Sequence, residues 1–268
     1  MKLISHIVSM LLVTIGLLTF YSFSDYDLKV PYSKDEKSGQ LKYLELKKSE
    51  FKKFILQIPD NAIGKRIAVR DTIKKENIEM DTTSQKILLI GDSMLEGLML
   101  RLKDYTAFNK HDMNTVIWYS SSTAWYGNSD TLKYFINKYK PTYIFLVLGA
   151  NELFITDIIT KRQKFVKNIL KQIGNHKYVW IGPPNWKDDT GINKLIVKNV
   201  GAKRYFPSKN LSYKRTKDGA HPTKTSASAW MDSIAVWIMK ESMYPILLNK
   251  PTVKSKLSAN VTILQPIR

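Results

Sequence analysis

The chain has no cysteine among its 268 residues. This absence excludes disulfides, cysteine-ligated zinc, iron–sulfur clusters, a cysteine nucleophile and the lipid-modified cysteine of a bacterial lipoprotein. Acidic residues are also scarce, because 23 Asp and Glu stand against 42 Lys and Arg, for a formal net charge of +19. The rest of the composition is that of a globular protein, with 44% apolar and 24% charged residues. We therefore exclude a disordered, collagen-like or multi-span membrane protein and expect one α/β domain with appendages.

The basic excess is spread along the chain. The net charge is +4 over residues 1–80, +12 over residues 81–240 and +3 over residues 241–268, most of it from lysine and without an arginine-rich run. Dispersed lysines favour solubility and attraction to polyanions in general. A nucleic-acid-binding protein would instead cluster its basic residues on one face. We therefore predict no nucleic-acid partner and expect anionic cell-envelope material to be the relevant polyanion.

A long apolar run, residues 3–23, lies at the N-terminus, and Lys2 is the one charged residue before it. About 20 apolar residues span a bilayer core, so the run is long enough for a signal anchor. A cleaved signal peptide is the main alternative, although Ser22-Phe23-Ser24 is a poor cleavage site, and a buried helix is the third interpretation. The first two both predict an exported protein, either membrane-anchored and facing the periplasm or outside, or secreted after cleavage.

Four regions follow from the pattern of the chain. Residues 1–23 are the signal anchor or signal peptide, and residues 24–83 are a polar linker followed by an amphipathic helical segment, with helical spacing over 41–58 that ends at Pro59. Residues 84–243 are the main α/β domain, and residues 244–268 are a C-terminal tail. Composition and pattern leave the oligomeric state open.

Strands and helices alternate from residue 86 onward. The pattern predicts strands over 86–90, 115–119, 143–148, 178–181 and 204–206, and helices over 94–109, 131–139, 157–173, 191–200 and 223–243. Continuously apolar strands, each followed by a helix, indicate a parallel sheet covered on both faces. Functional groups in such sheets gather beyond the carboxyl ends of the strands.

Three polar motifs lie at these strand ends or beside helix starts. Ser93 follows the first strand, Asn151 follows the third, and Asp218 precedes His221 by three residues near the last helix. Taken singly, each fits a blander role, since Ser and Asn commonly cap helices and Asp–His pairs occur on surfaces. Together they supply a nucleophile, an oxyanion donor, an orienting carboxylate and a base, the set that acyl transfer needs.

These motifs resemble those of the SGNH/GDSL hydrolase superfamily over about residues 84–240. The resemblance implies a flavodoxin-like three-layer α/β/α sandwich, with Ser93 as nucleophile, His221 as base and Asp218 as its partner. The residues that carry it are Gly91-Asp92-Ser93-Met94, Gly149-Ala150-Asn151-Glu152 and Asp218-Gly219-Ala220-His221-Pro222-Thr223.

The resemblance also implies an oxyanion hole with three donors. Two are the Ser93 backbone N–H and the Asn151 side chain, and the third is a backbone N–H in the loop after the second strand, where the family usually has glycine. This chain has no glycine between Tyr119 and Trp125. Ala124 is the nearest match, and its backbone can serve unless a positive φ is required.

The substrate is predicted from the residues around these strand ends. We predict substrate contacts from Asp92, Trp125 and Trp186, since aromatic rings beside a polar cleft can stack on sugars, although they can equally be packing residues. The resulting hypothesis is an exported serine esterase that removes O-acetyl or other short acyl groups from envelope or extracellular glycans. An O-acetyltransferase using the same acyl-enzyme, a lipid esterase and a catalytically inactive glycan-binding protein are the alternatives. No cofactor is needed, and no metal-binding spacing is present in the sequence.

Overall fold

The computed structural model describes residues 28–34, 41–46, 79–256 and 260–266. The chain divides into two units, residues 1–76 and residues 77–268. In the first unit, strand β1 (Leu28–Lys34) pairs antiparallel with strand β2 (Leu41–Leu46). The predicted linker therefore contains a strand, and the predicted helix is wrong over Leu41–Leu46. Short apolar runs fit either period, and here pairing with the neighbouring strand decides between them. The remainder of that helix, residues 47–58, lies outside the described residues.

The predicted signal anchor or signal peptide, residues 1–23, also lies outside the described residues. Within the described part of the chain, every helix is too short or too polar to cross a bilayer.

The second unit is built on one six-stranded parallel sheet with the strand order β7-β6-β5-β3-β4-β8. The predicted α/β sandwich with a parallel sheet is confirmed, and β4-β3-β5-β6-β7 is the flavodoxin-like order. The strands are β3 (Lys86–Gly91), β4 (Asp112–Trp118), β5 (Tyr143–Val147), β6 (Lys177–Ile181), β7 (Tyr205–Phe206) and β8 (Asn260–Leu264). The helices are α1 (Leu95–Phe108), α2 (Thr123–Asn128), α3 (Thr131–Tyr139), α4 (Ile158–Ile173), α5 (Ile192–Val200) and α6 (Lys224–Lys240).

Two of these elements are absent from the sequence prediction. Strand β8 lies in the predicted C-terminal tail and pairs parallel with β4 at the edge of the sheet. Helix α2 is only six residues long and lies directly after the loop that follows β4. An edge strand buries little of its surface and a short helix shows less than two turns of periodicity, so neither gives a strong apolar pattern.

The central strand β3 is buried on both faces, which explains its unbroken apolar run. Ile87 and Leu89 pack into a core layer with α1 and α6, whereas Leu88 and Ile90 pack into the opposite layer with α3, α4 and α5. Successive side chains of a strand point to opposite faces, so every residue of a doubly covered strand must be apolar. In register, Gly91 pairs with residues of β4 and β5, so the loops after these three strands meet at one edge.

Candidate active site

Ser93 lies on a sharp turn between β3 and α1, and the preceding glycine is required there. A Cβ atom on Gly91 would lie 1.8 Å from the carbonyl oxygen of Val147 on the neighbouring strand, so no larger residue fits. The Asp92 N–H donates to that same carbonyl at 3.0 Å. The Ser93 N–H has no partner among the described residues, as expected for the first unpaired donors of a helix. The turn therefore presents a hydroxyl together with a free backbone donor.

The structure brings Ser93, His221 and Asp218 together in a bonded series. The Ser93 Oγ lies 2.9 Å from Nε2 of His221, and Nδ1 of His221 lies 2.6 Å from Oδ2 of Asp218. An ionised carboxylate only accepts hydrogen bonds, so Nδ1 carries the proton and Nε2 is free to accept the serine proton. This is the arrangement in which imidazole acts as a general base toward a hydroxyl.

Asp218 is held in its ionised form by donors from its own loop. Its Oδ1 accepts hydrogen bonds from the Thr216 hydroxyl at 2.7 Å and from the N–H groups of Ala220 and His221 at 2.9 and 3.0 Å. These bonds, the Thr216 hydroxyl first, hold the pKa of Asp218 well below its usual range. The carboxylate is therefore charged at any pH near neutrality and can keep the His221 ring in one orientation.

Arg215, which the sequence analysis did not single out, links this loop to the loop after β6. Its guanidinium donates to the carbonyl oxygens of Ala220 at 2.5 Å, Pro184 at 3.1 Å and Asn185 at 2.6 Å. Five planar donors on one side chain make arginine suited to joining several carbonyls. Nothing in the sequence pattern marks these contacts, because they join segments some 30 residues apart.

A cleft of about 560 Å³ surrounds Ser93 and His221. Side chains of mixed character line it, and the Tyr119 hydroxyl donates to the Glu96 carboxylate at 3.3 Å on one wall. Within the described part of the chain, no group of three or more His, Cys, Asp or Glu is placed to hold a metal ion. The lining residues are Ser93, Met94, Glu96, Gly97, Leu100, Tyr119, Ser120, Thr216, Asp218, His221, Pro222 and Lys224.

The loop after β4 differs from the expectation for the third oxyanion donor. Ala124 lies inside helix α2 and does not line the cleft, whereas Ser120 does. Ser120 has φ 58°, in the left-handed region that favours glycine. The residue that occupies a glycine-like position is therefore Ser120, and its N–H has no partner among the described residues.

Asn151 lies in a short 3-10 turn after β5 and contacts the same loop. Its side-chain amide donates to the Ser121 carbonyl at 2.8 Å. An amide NH2 carries two N–H donors, so the second is not used by this bond, although Asn151 is not among the residues that line the cleft. The loop after β4, which contains Ser120 and Ser121, is therefore hydrogen-bonded to the turn that contains Asn151.

The three predicted substrate-binding residues are not in the cleft lining. Asp92 is 1% exposed, and its carboxylate accepts from the N–H of Met94 at 3.0 Å and of Ala150 at 3.4 Å. Trp125 packs on Trp118 with ring centroids 5.4 Å apart. Trp186 donates from Nε1 to the Ala150 carbonyl at 3.1 Å. Asp92 and Trp186 therefore bond to the backbone of the loops, whereas Trp125 packs on a neighbouring ring, and none of the three lines the cleft.

Two buried carboxyl groups flank the site residues along the chain, Asp92 before Ser93 and Glu152 after Asn151. Burial raises the pKa of Asp92 to about 7, and the nearby Glu152 charge adds to this, although the backbone N–H groups of Met94, Ala150 and Gly149 oppose it. Burial also raises the pKa of Glu152, against hydrogen bonds from Thr123 and the charge of Arg162. Two acids this close and this buried disfavour simultaneous ionisation.

Among known proteins, this chain is similar only to solved structures, each over part of its length. No family model and no curated protein matches the chain. Among solved structures it is similar to the psychrotrophic esterase EstA from Pseudoalteromonas sp., with 19% identity over 58% of this chain and 97% of that chain and a TM-score of 0.44. It is also similar to the Clostridium thermocellum family 3 carbohydrate esterase, with 17% identity over 56% of this chain and 92% of that chain and a TM-score of 0.43.

A third similar structure is a two-domain esterase (CEX) active on acetylated mannans, with 13% identity over 66% of this chain and 54% of that chain and a TM-score of 0.42. These proteins are esterases, the class that the motif resemblance names. Because all three TM-scores are below 0.5, activity and substrate have to follow from the geometry of the site alone.

Proposed function

We propose that this protein is a serine esterase that removes O-acetyl or other short acyl groups from glycans. The observation that carries the proposal is the bonded series from Ser93 through His221 to Asp218, open to a cleft in which 37% of the His221 side chain is exposed. A nucleophile within reach of an oriented base is the diagnostic arrangement for covalent acyl transfer.

The proposed reaction proceeds through an acyl-enzyme. Nε2 of His221 takes the Ser93 proton while Oγ attacks the ester carbonyl carbon, and the carbonyl oxygen becomes an oxyanion. We assign the stabilisation of that charge to the N–H of Ser93, the Asn151 amide and the N–H of Ser120, of which Ser93 and Ser120 line the cleft. The sugar oxygen leaves with the proton from His221. Water then attacks the acyl carbon while Nε2 of His221 takes its proton, and His221 gives that proton to the Ser93 Oγ as the bond to the acyl group breaks and the carboxylic acid is released.

The preference for a polar substrate follows from the cleft walls. Glu96, Tyr119, Thr216 and Lys224 place charged and hydroxyl groups around Ser93, and these can hydrogen-bond to sugar hydroxyls. Met94, Leu100 and Pro222 add apolar surface to the same cleft, against which the methyl of an acetyl group can pack. Export and action on cell-envelope glycans rest on the N-terminal apolar run and the positive charge of the chain.

Turnover of a short ester tests the proposal. The purified full chain should hydrolyse p-nitrophenyl acetate, and Ser93→Ala should reduce kcat by at least about 1,000-fold, as loss of a nucleophile does. Asp188→Asn, an exposed carboxylate outside the cleft, should leave kcat within about twofold, as surface changes do. Equal rates for the wild type and Ser93→Ala would exclude an esterase and favour a glycan-binding protein.

Acetate release from an O-acetylated polysaccharide, with and without an added sugar acceptor, separates the two enzyme classes. Net acetate release is expected for the esterase. Acetyl recovered on the acceptor instead of in solution would identify a transferase, since both reactions share the acyl-enzyme and differ only in what attacks it.

A further inference from the structure

Glu152, which directly follows Asn151, is an acidic residue with no exposure to solvent. Its Oε1 accepts a hydrogen bond from the Thr123 backbone N–H at 2.5 Å and another from the Thr123 hydroxyl at 2.6 Å. Among the described residues its cationic neighbour is Arg162, whose Nε lies 3.8 Å from the same oxygen. The other oxygen, Oε2, has no hydrogen-bond partner among the described residues.

This arrangement is a poor way to stabilise a fold. A buried carboxylate needs full pairing to offset its loss of hydration, and one with an unpaired oxygen is destabilising compared with an apolar residue of similar size. Its effect must therefore be sought in what its two bonds hold in place.

The bonds of Glu152 join the two loops that carry the oxyanion donors. Thr123 is the first residue of α2 and ends the turn that contains Ser120 and Ser121. Asn151 donates to the Ser121 carbonyl from the other side. The Asn151–Glu152 segment is thus tied to the turn at two points, Ser121 and Thr123, so the turn cannot slide relative to the Asn151 amide.

We propose that Glu152 is a positioning residue of the esterase site, whose buried carboxylate fixes the turn between β4 and α2 against Asn151 and so sets the spacing of the oxyanion donors. The inference rests on the proposed function. It accounts for the strained φ of Ser120, because a non-glycine residue in the left-handed region persists only where its surroundings hold it. Donor placement acts on the transition state rather than on the bound ester, so kcat is the quantity it controls.

The test compares variants of the full chain on p-nitrophenyl acetate. Glu152→Gln keeps the shape and one acceptor oxygen but removes the ionisable carboxyl group, and it should lower kcat about 10- to 100-fold with KM within about twofold, as a small displacement of catalytic groups does. Thr123→Val should lower kcat in the same way, whereas Thr123→Ser keeps the hydroxyl and should restore it. If Glu152→Gln does not fold, Thr123→Val and Thr123→Ser still test the inference.

Asp232→Asn is the matched control. Oδ1 of Asp232 likewise accepts two bonds, from Arg101 at 2.8 Å and Tyr105 at 3.0 Å, and its Oδ2 pairs with Lys250 at 2.9 Å, but the first two bonds join α1 to α6 away from the cleft lining. It should lower the melting temperature without lowering kcat. A Thr123→Val kcat equal to that of Thr123→Ser, or a kcat loss in Asp232→Asn as large as in Glu152→Gln, would overturn the inference and leave the esterase proposal intact. A wild type no faster than Ser93→Ala would overturn both.

Discussion

At the scale of single residues, the site depends on carboxyl groups held in opposite surroundings. Asp218 has half of its side chain exposed, and its own loop keeps it ionised. Asp92 and Glu152 are fully buried, and burial raises the pKa of each. The exposed carboxylate orients the base, whereas the buried pair holds loops together. The same chemical group, a carboxyl, thus has two roles that depend on its surroundings.

The buried pair predicts a pH dependence of stability. Because burial raises the pKa of Asp92 to about 7 in the folded protein, from an ordinary value of 3.8, the folded state retains a proton that the unfolded chain loses between about pH 4 and pH 7. Folding stability therefore falls as pH rises through that window, by an amount on the order of a few kcal/mol. The Asp92→Asn variant has no ionisable group at this position. Its free energy of unfolding should therefore increase relative to that of the wild type as the pH rises from 5 to 8.

Urea unfolding of the full chain at pH 5, 6, 7 and 8 measures that difference. Burial also raises the pKa of Glu152, so Glu152 lowers stability with rising pH in the same way. Asp92→Asn should therefore remove part of the pH dependence of stability and not all of it. Asp112→Asn, at the exposed start of β4, is the control, and its plot of unfolding free energy against pH should be parallel to that of the wild type. A curve for Asp92→Asn that is also parallel to the wild type would show that Asp92 does not titrate in this range.

At the scale of elements, the sheet determines where the site lies, and this much could be predicted from the sequence. Helix α3 coincides with its predicted range, and β3 and β5 agree to one residue, because each has a strong periodic or unbroken apolar pattern. The placement of Ser93, Asn151 and His221 at strand ends and helix starts follows from those elements.

The contacts that complete the site could not be predicted in the same way. Ser120 occupies the glycine-like position although its residue type gives no sign of a positive φ. Trp125 and Trp186 face packing partners instead of the cleft, since an aromatic ring suits either setting and only the tertiary fold decides. Arg215 and Glu152 act through bonds to distant segments, which local sequence does not encode.

Strand β8 is expected to stabilise the end of β4 beside the cleft. It covers the edge of β4, and the Tyr119 N–H, just before Ser120 in the cleft lining, donates to the Leu264 carbonyl at 3.1 Å. Nε1 of Trp118 donates to the Gln265 carbonyl at 3.0 Å. Deletion of residues 260–268 should therefore loosen the end of β4, raise KM several-fold, speed amide exchange in β4 and promote aggregation through the open edge.

Deletion of residues 267–268 alone is the control, since it leaves both of those hydrogen bonds in place. It should match the full chain in KM and in β4 exchange. If the longer deletion also leaves β4 exchange unchanged, β8 does not support the cleft wall and the prediction is wrong.

At the scale of the whole molecule, the net charge of +19 affects the approach of charged partners from a distance and does not affect the hydrogen bonds among the site residues. The reacting groups need only short hydrogen bonds, and the cleft itself carries both Glu96 and Lys224. A field spread over the surface changes how often a charged polymer meets the protein, and it leaves the chemical step unaffected. Charge and chemistry can therefore be separated by ionic strength.

The last prediction uses that separation. The screening length falls from about 10 Å at 0.1 M salt to about 3 Å at 1 M, so long-range attraction to an anionic polymer is lost over this range. With an O-acetylated acidic polysaccharide, KM should rise several-fold between about 0.05 M and 0.5 M NaCl while kcat stays constant. With p-nitrophenyl acetate, which is uncharged, both should stay constant. Equal salt effects on the two substrates would mean that salt acts on the enzyme itself, and a flat KM for the polymer would mean that the basic surface has no part in substrate capture.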